Sequence, residues 1–201
     1  MVAWIGWVFQ GLPSRLGIME VLAVPLMQQE LDDHFRQAWA IYEDSFPVDE
    51  RRPFEEHFQA QSDPRYTFTP LLDQSRSVVG VLGYWRFEAF TFLEHIAVSS
   101  ACRGSGLGTS TVKGLQDAAS LPLILETELP EMNSQAPKRI RWYESLGFYS
   151  NQHEYVQPAY ARHQNPVPSR IMSYPDLLSP GDFQAIRETL YSEVYRYVPG
   201  A

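Results

Sequence analysis

The sequence predicts an α/β fold in a single domain, and three observations support this prediction. Residues 91–119 read as a strand, a glycine-rich turn and an amphipathic helix in succession. Before them, residues 66–87 read as two strands joined by a polar turn, so the elements do not follow the βαβ alternation of a purely parallel sheet. The chain of 201 residues, 44% of them hydrophobic, is long enough for one core and short for two.

Residues 1–18 are predicted to precede the folded domain. They open with nine almost wholly apolar residues, too few to span a membrane, and they lack the positively charged start of a signal peptide. The first strand-like segment begins only at Glu20. We therefore expect no strand before Glu20. Residues 1–18 would be an extension that is disordered or docks on a surface, with Met19 as an alternative natural start.

Two helices are predicted next. Residues 31–46 carry apolar side chains at helical spacing, namely Leu31, Phe35, Ala38 and Tyr42. A shorter helix begins at Pro53, because proline is favoured at the first helical position. We expect Phe54 and Phe58 to share the apolar face of this second helix.

Three strands are predicted before the glycine-rich turn. Residues 66–72 and 77–87 suit an antiparallel pair, because the polar cluster between them is typical of a hairpin turn. The third strand begins at Thr91. Since side chains of a strand alternate between its faces, one face carries Phe92, Glu94, Ile96 and Val98, and the other carries Leu93, His95 and Ala97.

The C-terminal half continues with a strand, a helix and a final strand pair. The strand is predicted at 121–129, and the helix is one that Pro137 can begin and Gly147 can end. The strand pair is predicted at 148–157 and 167–174. A last helix starts after Ser179 and has an apolar face of Phe183, Ile186, Leu190 and Val194. We expect this extension, residues 177–201, to act as a cap or a dimer contact.

The glycine-rich segment is expected to bind an anion. Gly104, Gly106 and Gly108 leave backbone N–H groups uncovered at a helix N-terminus, where the helix dipole also attracts phosphate. Two common phosphate motifs are excluded by spacing. A dinucleotide fingerprint needs glycine where Thr109 stands, and a P-loop needs a lysine that this segment lacks.

Two motifs together resemble those of the GNAT superfamily of N-acyltransferases. R-x-x-G-x-G, at Arg103, Gly106 and Gly108, directly follows a strand and is similar to the superfamily's acyl-CoA pyrophosphate loop. R-I-R-W-Y-E-S-L-G-F, at 139–148, resembles the superfamily helix that carries Tyr-Glu-x-x-Gly-Phe. The resemblance covers residues 20–175.

The resemblance implies a domain of residues 19–176 with a mixed, mostly antiparallel sheet flanked by helices. It also implies acetyl-CoA as co-substrate, entering where the fourth and fifth strands splay apart. Arg103 would add a charge-assisted donor to the backbone N–H groups of the loop. The residues implied to bind acetyl-CoA are Ile96, Ala97, Val98, Arg103, Gly104, Ser105, Gly106, Leu107, Gly108 and Thr109.

Glu94 and Tyr143 are the residues that the resemblance implies for catalysis. Relatives often place a glutamate on this strand, and apolar neighbours would raise its proton affinity, as suits a base that deprotonates an ammonium. Tyr143 stands where many relatives have the tyrosine that protonates the departing CoA thiolate. Each residue also has a structural interpretation, Glu94 in an ion pair and Tyr143 packed in the core. Relatives commonly carry Asn where this chain has Ala136, which is a departure from the pattern.

Composition bears on the partners of the protein. A net charge of −8 disfavours nucleic acid and anionic membranes and suits a cationic acceptor. Glu126 and Glu128 share a strand face and are candidate ligands of a positive amine, although such pairs also occur on solvated faces. No pair of histidines or cysteines has metal-ligand spacing, so we expect no metal. The single cysteine, Cys102, excludes an internal disulfide and agrees with a cytoplasmic location.

We therefore expect an N-acetyltransferase that moves an acetyl group from acetyl-CoA to a primary amine by direct transfer in a ternary complex. The acceptor would be a small molecule or a peptide, and a homodimer is one expected oligomeric state. The alternative is a non-catalytic acyl-CoA-binding or sensing module on the same fold. A Rossmann-type nucleotide-binding protein is disfavoured by the hairpin that precedes the loop.

Overall fold

The described part of the chain forms two compact units. A computed structural model describes residues 7–13, 19–25 and 28–197. The first unit draws its described residues from 1–46, 64–85 and 94–119, and the second from 47–63, 86–93 and 120–201. Each unit is therefore assembled from separate stretches of sequence, and its core depends on contacts between residues that are distant along the chain.

Five strands belong wholly or partly to the first unit: β1 (Trp7–Pro13), β2 (Met19–Pro25), β3 (Tyr66–Leu72), β4 (Val78–Arg86) and β5 (Thr91–Val98). Their order in the sheet is β2-β1-β3-β4-β5. β3 and β4 are antiparallel, as the sequence predicts. The Asp73 carboxylate closes their turn by accepting hydrogen bonds from the N–H groups of Ser75 at 2.8 Å and Ser77 at 2.9 Å.

Strand β1 differs from the expectation that no strand precedes Glu20. It pairs antiparallel with β2 along its whole length, and parallel with β3 at Phe9 and Gln10. The Trp-Val-Phe sequence at its start favours strand formation. Its parallel partner is distant in sequence, however, so no local pattern predicts the pairing. Whether residues 1–18 are a dispensable extension stays a prediction.

The core of the first unit lies between its sheet and helix α1 (Gln28–Ser45). Ala38 and Tyr42 of α1 are fully buried and cluster with Val81 of β4 and Ala97 of β5. The Tyr42 ring also packs edge-on against Phe68 of β3, with 5.6 Å between ring centroids. The predicted helix is therefore confirmed, and two of its predicted apolar positions lie at the centre of the core.

The second unit contains four further strands, β6 (Leu123–Glu128), β7 (Tyr149–Ser150), β8 (Tyr155–Gln157) and β9 (Val167–Tyr174). β9 pairs antiparallel with each of β6, β7 and β8. β6 also pairs in parallel with the first three residues of β5, Thr91–Leu93, through Leu123–Leu125. The predicted mixed, mostly antiparallel sheet is thus confirmed.

Helix α2 (Phe54–Ala60) is present as predicted, but its predicted apolar face is wrong. Phe54 and Phe58 are 48% and 65% exposed, whereas His57 and Ala60 are buried. A helix of seven residues has only two turns, so the spacing of two aromatic residues is weak evidence for the face that it buries.

The second unit also contains helices α4 (Ala136–Ser145) and α5 (Pro180–Thr189), and α5 continues into a π-helical turn at 190–194. The Ser179 hydroxyl caps α5 by accepting a hydrogen bond from the Asp182 N–H at 3.1 Å. The predicted apolar face of Phe183, Ile186, Leu190 and Val194 is buried. The role of this segment as a cap or dimer contact stays a prediction. Among the helices of the described residues, none is long and apolar enough to cross a membrane.

We expect Gly80→Ala to destabilise the protein, because β4 and β5 approach closely there. A Cβ on Gly80 would lie 2.5 Å from the carbonyl oxygen of Ala97. Overpacking of this kind costs about 1–3 kcal/mol, and each kcal/mol lowers Tm by about 2–4 °C in a chain of this size. Thermal unfolding followed by circular dichroism measures the change.

The matched control is Gly114→Ala, in helix α3 (Leu107–Ala118), where a Cβ would meet no atom within 4 Å. Alanine in a helix is favoured over glycine by about 0.5–1 kcal/mol, so this variant should be at least as stable as the wild type. Equal Tm values for Gly80→Ala and the wild type would contradict the close approach of the two strands.

Candidate active site

The segment between β5 and α3 presents an exposed, glycine-rich loop. Residues 103–106 are all exposed, and Gly104 and Gly106 have φ values of +80° and +84°. Other residues are strained in this left-handed region. A Cβ on either glycine would meet no atom within 4 Å. The loop can therefore lie directly against a bound group, without a side chain in between.

The loop leads into the N-terminus of α3. Gly106 is the N-cap residue, and no side chain caps the helix there. The first N–H groups of a helix have no partner within it, and the helix dipole is positive at this end, so an anion is favoured. Arg103 is exposed, and its Nε donates a hydrogen bond to the Val98 carbonyl at 3.2 Å, which holds the guanidinium at the start of the loop.

Glu94 has a buried side chain with a defined hydrogen bond. Its side chain is 1% exposed, and its carboxylate accepts a hydrogen bond from Trp85 Nε1 at 2.9 Å. Trp85 lies on β4 and is itself 1% exposed. His95 Nδ1 lies 3.7 Å from the same carboxylate, so two polar groups border it within a buried environment. Trp85 therefore orients Glu94, a contact between strands that the sequence analysis missed.

The main chain of β5 is open at Glu94. Glu94, Ile96 and Val98 are half-buried, whereas Leu93, His95 and Ala97 are buried. Because the Glu94 side chain is itself buried, the exposed part of this residue is its main chain. Exposed N–H and C=O groups of a strand can pair with the amide groups of another chain or ligand.

His95 is placed as a core residue. Its ring is 3% exposed and lies edge-on to Tyr42 and Phe46, with 4.8 Å between centroids in both cases. Its Nε2 is 3.3 Å from the Tyr42 hydroxyl. These contacts place the His95 ring in the core of the first unit, between Tyr42 and Phe46.

Tyr143 lies on α4 and is 5% exposed. Its ring centroid is 4.6 Å from that of Trp142 and 5.5 Å from that of Phe148. Burial raises the pKa of the Tyr143 hydroxyl well above its usual value, while Arg139 lowers it and Glu128 raises it further. The phenol is therefore a neutral hydrogen-bond donor at any physiological pH.

Glu128, at the end of β6, is held by two side chains around the start of α4. It is 5% exposed and accepts hydrogen bonds from Arg139 Nη1 at 2.5 Å and from Asn133 Nδ2 at 3.3 Å. The Asn133 side-chain oxygen also accepts from the N–H groups of Gln135 and Ala136, both at 2.9 Å. The sequence analysis missed both residues. The capping preference of Asn ahead of a helix and the spacing of four between Arg139 and Tyr143 are the signals that could have found them.

Glu50 belongs to the same cluster. It lies in the short turn at 48–50, within hydrogen-bonding reach of the Glu128 carboxyl group. Burial, and then the charge of Glu128, raise the pKa of Glu50 to about 7, while Arg139 lowers it and Asp49 raises it. No local pattern in the sequence indicates that Glu50 lies beside Glu128, because the two residues are far apart along the chain.

Glu126 has partners different from those of Glu128. It accepts hydrogen bonds from the hydroxyl groups of Tyr155 and Tyr195, the latter at 2.5 Å. Both tyrosines are buried, and burial and Glu126 raise the pKa of Tyr155. The two predicted acceptor residues therefore differ, since Glu128 is paired with a cation and Glu126 with neutral hydroxyl groups.

The first unit brings together the end of β5, Glu94, Arg103 and the loop. The second unit brings Tyr143, Glu128, Arg139 and Glu50 into one electrostatic cluster, and it places Glu126 among tyrosines. Among the described residues, no group of three or more His, Cys, Asp or Glu side chains could hold a metal ion.

Comparison with known families gives one match. Residues 32–148, more than half of the chain, match the sequence model of the acetyltransferase (GNAT) family. The matched range includes the glycine-rich loop and Tyr143. No curated protein matches the chain in sequence.

Solved structures give matches over most of the chain. A Bacteroides thetaiotaomicron protein assigned to the GNAT acetyltransferases is 28% identical with a TM-score of 0.75, over 86% of this chain and 97% of that chain. The Escherichia coli ribosomal-protein-S18-alanine N-acetyltransferase is 21% identical with a TM-score of 0.52, over 77% and 92%. A Corynebacterium glutamicum protein described as histone acetyltransferase HPA2 and related acetyltransferase is 16% identical with a TM-score of 0.50, over 78% and 97%. The last two share the fold of this chain.

Proposed function

The chain belongs to the GNAT acetyltransferase family, and on that premise we propose that it acetylates a primary amine with acetyl-CoA. In this proposal both substrates bind together, and the amine nitrogen attacks the thioester carbonyl directly. The C–N bond forms and the C–S bond breaks. The ammonium group loses one proton to a base, and the CoA thiolate takes one from an acid.

The geometry of the glycine-rich loop is the observation that carries this proposal. Its left-handed glycines, its exposure and the uncapped start of α3 suit a pyrophosphate group, and Arg103 adds a fixed positive charge. The exposed main chain at Glu94, on β5, suits an amide group of the CoA arm. We therefore assign acetyl-CoA binding to Ile96–Val98 and Arg103–Thr109.

Glu94 is the proposed base. Its buried carboxylate is oriented by the Trp85 indole, which fixes the direction from which it can accept a proton. The ionised carboxylate would take the proton that the ammonium loses, while the Trp85 hydrogen bond keeps it oriented.

Tyr143 is the proposed acid. The hydroxyl is protonated at working pH, as a proton donor must be, and the burial that raises its pKa also makes it a weaker acid than an exposed phenol. The thiolate of CoA needs a proton only as the C–S bond breaks. A donor used at that moment stabilises the transition state and contributes little to cofactor binding.

The acceptor is proposed to be a positively charged amine, contacted by Glu126 and Glu128. The net charge of −8 supports a cationic acceptor. The Escherichia coli protein with the same fold is named for a protein acceptor, so the proposal covers peptides as well as small molecules. A homodimer and a cytoplasmic location stay predictions.

Acetyl-CoA should raise the Tm of the wild type, and Gly106→Asp should abolish the increase. A ligand that binds only the native state stabilises it by about 2.7 kcal/mol at a hundredfold excess over Kd. Aspartate at position 106 would place a side chain and a negative charge where φ is +84° and the pyrophosphate is expected. A thermal-shift assay with acetyl-CoA measures the effect.

Gly114→Asp is the control for that variant. It makes the same substitution within α3 but outside the loop, so it should keep the shift given by acetyl-CoA. The loop assignment fails if the wild type gives no shift, or if both aspartate variants lose it equally.

Tyr143→Phe should lower kcat by about 10²- to 10⁴-fold, the range expected for loss of a general acid. The variant keeps the ring and its packing and removes only the hydroxyl, so kcat and kcat/KM should fall together while acetyl-CoA affinity is unchanged. Release of free thiol, measured over a panel of amines, gives the rates. Tyr149→Phe, at a side chain that is 47% exposed, is the control. Wild-type turnover by Tyr143→Phe would mean that the tyrosine is a packing residue.

Glu94→Gln should lower kcat/KM most strongly at neutral pH and less at alkaline pH. The amide can still accept the Trp85 hydrogen bond, so the fold should be retained, but it cannot take a proton. As pH rises towards the pKa of the amine, more of the acceptor is deprotonated without help, so the deficit should shrink by up to about tenfold per pH unit until that pKa is reached. Glu88→Gln, at an exposed position, is the control. A deficit that is constant with pH would argue against the base role.

A further inference from the structure

The start of α4 is fixed to β6 by an ion pair between the buried Glu128 and Arg139, whose side chain is 39% exposed. Arg139 donates to Glu128 at 2.5 Å, and Asn133 both donates to Glu128 and caps the first turn of the helix. Arg139 and Tyr143 are four residues apart on α4 and therefore lie on the same face, one turn from each other. Arg139 lowers the pKa of the Tyr143 hydroxyl and Glu128 raises it, in agreement with this placement. The ion pair thus holds the helical turn that precedes Tyr143.

The turn that carries Glu50 is itself anchored. Gln164 Nε2 donates to the carbonyl oxygens of Val48 at 2.5 Å and Arg51 at 2.9 Å. The Asp49 carboxylate accepts from the Asn165 N–H at 2.9 Å and from its side-chain amide at 3.1 Å. Glu50 is therefore held beside Glu128 by backbone contacts on both sides of it and has little freedom to move away.

Two carboxyl groups within hydrogen-bonding reach need a proton between them, because two carboxylates repel each other and neither can donate. The charged groups that face Glu50 are Asp49 in its own turn, Glu128 on β6 and Arg139 on α4. With Glu50 protonated, Arg139 balances the charge of Glu128. Ionisation of Glu50 adds a second negative charge to this pair, beside the Asp49 carboxylate.

We propose that Glu50 is a positioning residue for the reaction: when protonated it donates to Glu128 and leaves Arg139 fully engaged with Glu128, so that α4 holds Tyr143 in place. This inference rests on the proposed function. When Glu50 ionises, its carboxylate competes for Arg139 and repels Glu128, and the hold on the first two turns of α4 weakens. Since the pKa of Glu50 is raised to about 7, the change falls within the working pH range.

The first experiment tests the pair of Glu50 and Glu128 by measuring protein stability rather than enzyme activity. Because the native state holds the Glu50 proton more tightly than the unfolded state, stability should decrease as pH rises from the usual glutamate pKa to about 7. Glu50→Gln mimics the protonated form. The Tm difference between Glu50→Gln and the wild type should therefore grow from acidic to alkaline pH. It should grow by about 2–4 °C for each kcal/mol of stability that the wild type loses when Glu50 is deprotonated. Glu55→Gln, on the exposed side of α2, is the control and should show no such trend.

Carbon-13 NMR of labelled wild-type protein tests both the shared proton and the positioning of Tyr143 without any substitution. A carboxyl resonance should titrate near pH 7, and the ring resonance of Tyr143 should shift with the same midpoint. A Tyr143 resonance that is constant through that titration would overturn the positioning role, whatever the protein catalyses. A carboxyl group that titrates only at the ordinary glutamate value would overturn the shared proton.

The kinetic test compares Glu50→Gln with the wild type at each pH, so that the deprotonation of the amine cancels. The kcat ratio should be about 1 near pH 6 and should rise above pH 7 by at most about tenfold per pH unit. Acetyl-CoA affinity should not change. In a Tyr143→Phe background the ratio should be independent of pH, because the residue through which Glu50 acts has lost its hydroxyl.

The outcomes separate this inference from the proposed function. If Tyr143→Phe is fully active, the acid role fails, while the Tm and NMR experiments still decide whether Glu50 controls the position of Tyr143. A pH-dependent ratio that persists in the Tyr143→Phe background would show that Glu50 acts elsewhere and would overturn the inference. A kcat ratio that is independent of pH in both backgrounds would also overturn the inference. An effect confined to the KM of the amine would overturn it as well.

Discussion

The second unit depends on the ion pair and hydrogen bonds of one buried carboxylate, that of Glu128. Glu128 lies at the end of β6 and is almost inaccessible to water, so its charge needs partners within the protein. Arg139 supplies the compensating charge, and Asn133 supplies a further hydrogen bond and accepts from the first N–H group of α4. Because these partners surround the start of one helix, pairing this charge also ties that helix to the strand.

The parts of the structure that could be predicted from sequence are those whose conformation is determined by near neighbours. Gly104 and Gly106 are needed because the backbone is left-handed at both positions, and Ser179 caps the helix that directly follows it. The apolar period of α1 identifies Ala38 and Tyr42 as core residues. In each case the physical cause lies within one or two turns of chain, and the sequence pattern contains all of it. The glycine-rich loop is predictable for the same reason.

The parts that could not be predicted depend on residues distant along the chain. β1 pairs in parallel with β3, and α2 buries His57 rather than Phe58, because of partners elsewhere in the sequence. The cluster of Glu50 with Glu128 has the same origin. A single carboxylate in a polar turn gives no local signal, and its proton affinity is decided by burial and by another carboxyl group. The proton affinity of a site residue thus depends on contacts with residues distant along the chain, and it is the property hardest to infer from residue spacing.

The contrast between near neighbours and distant partners also applies to the two residues proposed to recognise a cationic acceptor. Glu126 and Glu128 are two residues apart on β6, and spacing alone makes them equivalent. Their hydrogen-bond partners differ, because Glu128 accepts from Arg139, whereas Glu126 accepts from the hydroxyl groups of Tyr155 and Tyr195. Both tyrosines are distant from Glu126 along the chain, so no residue spacing indicates this difference. Tyr195 thereby makes the C-terminal segment a partner of Glu126.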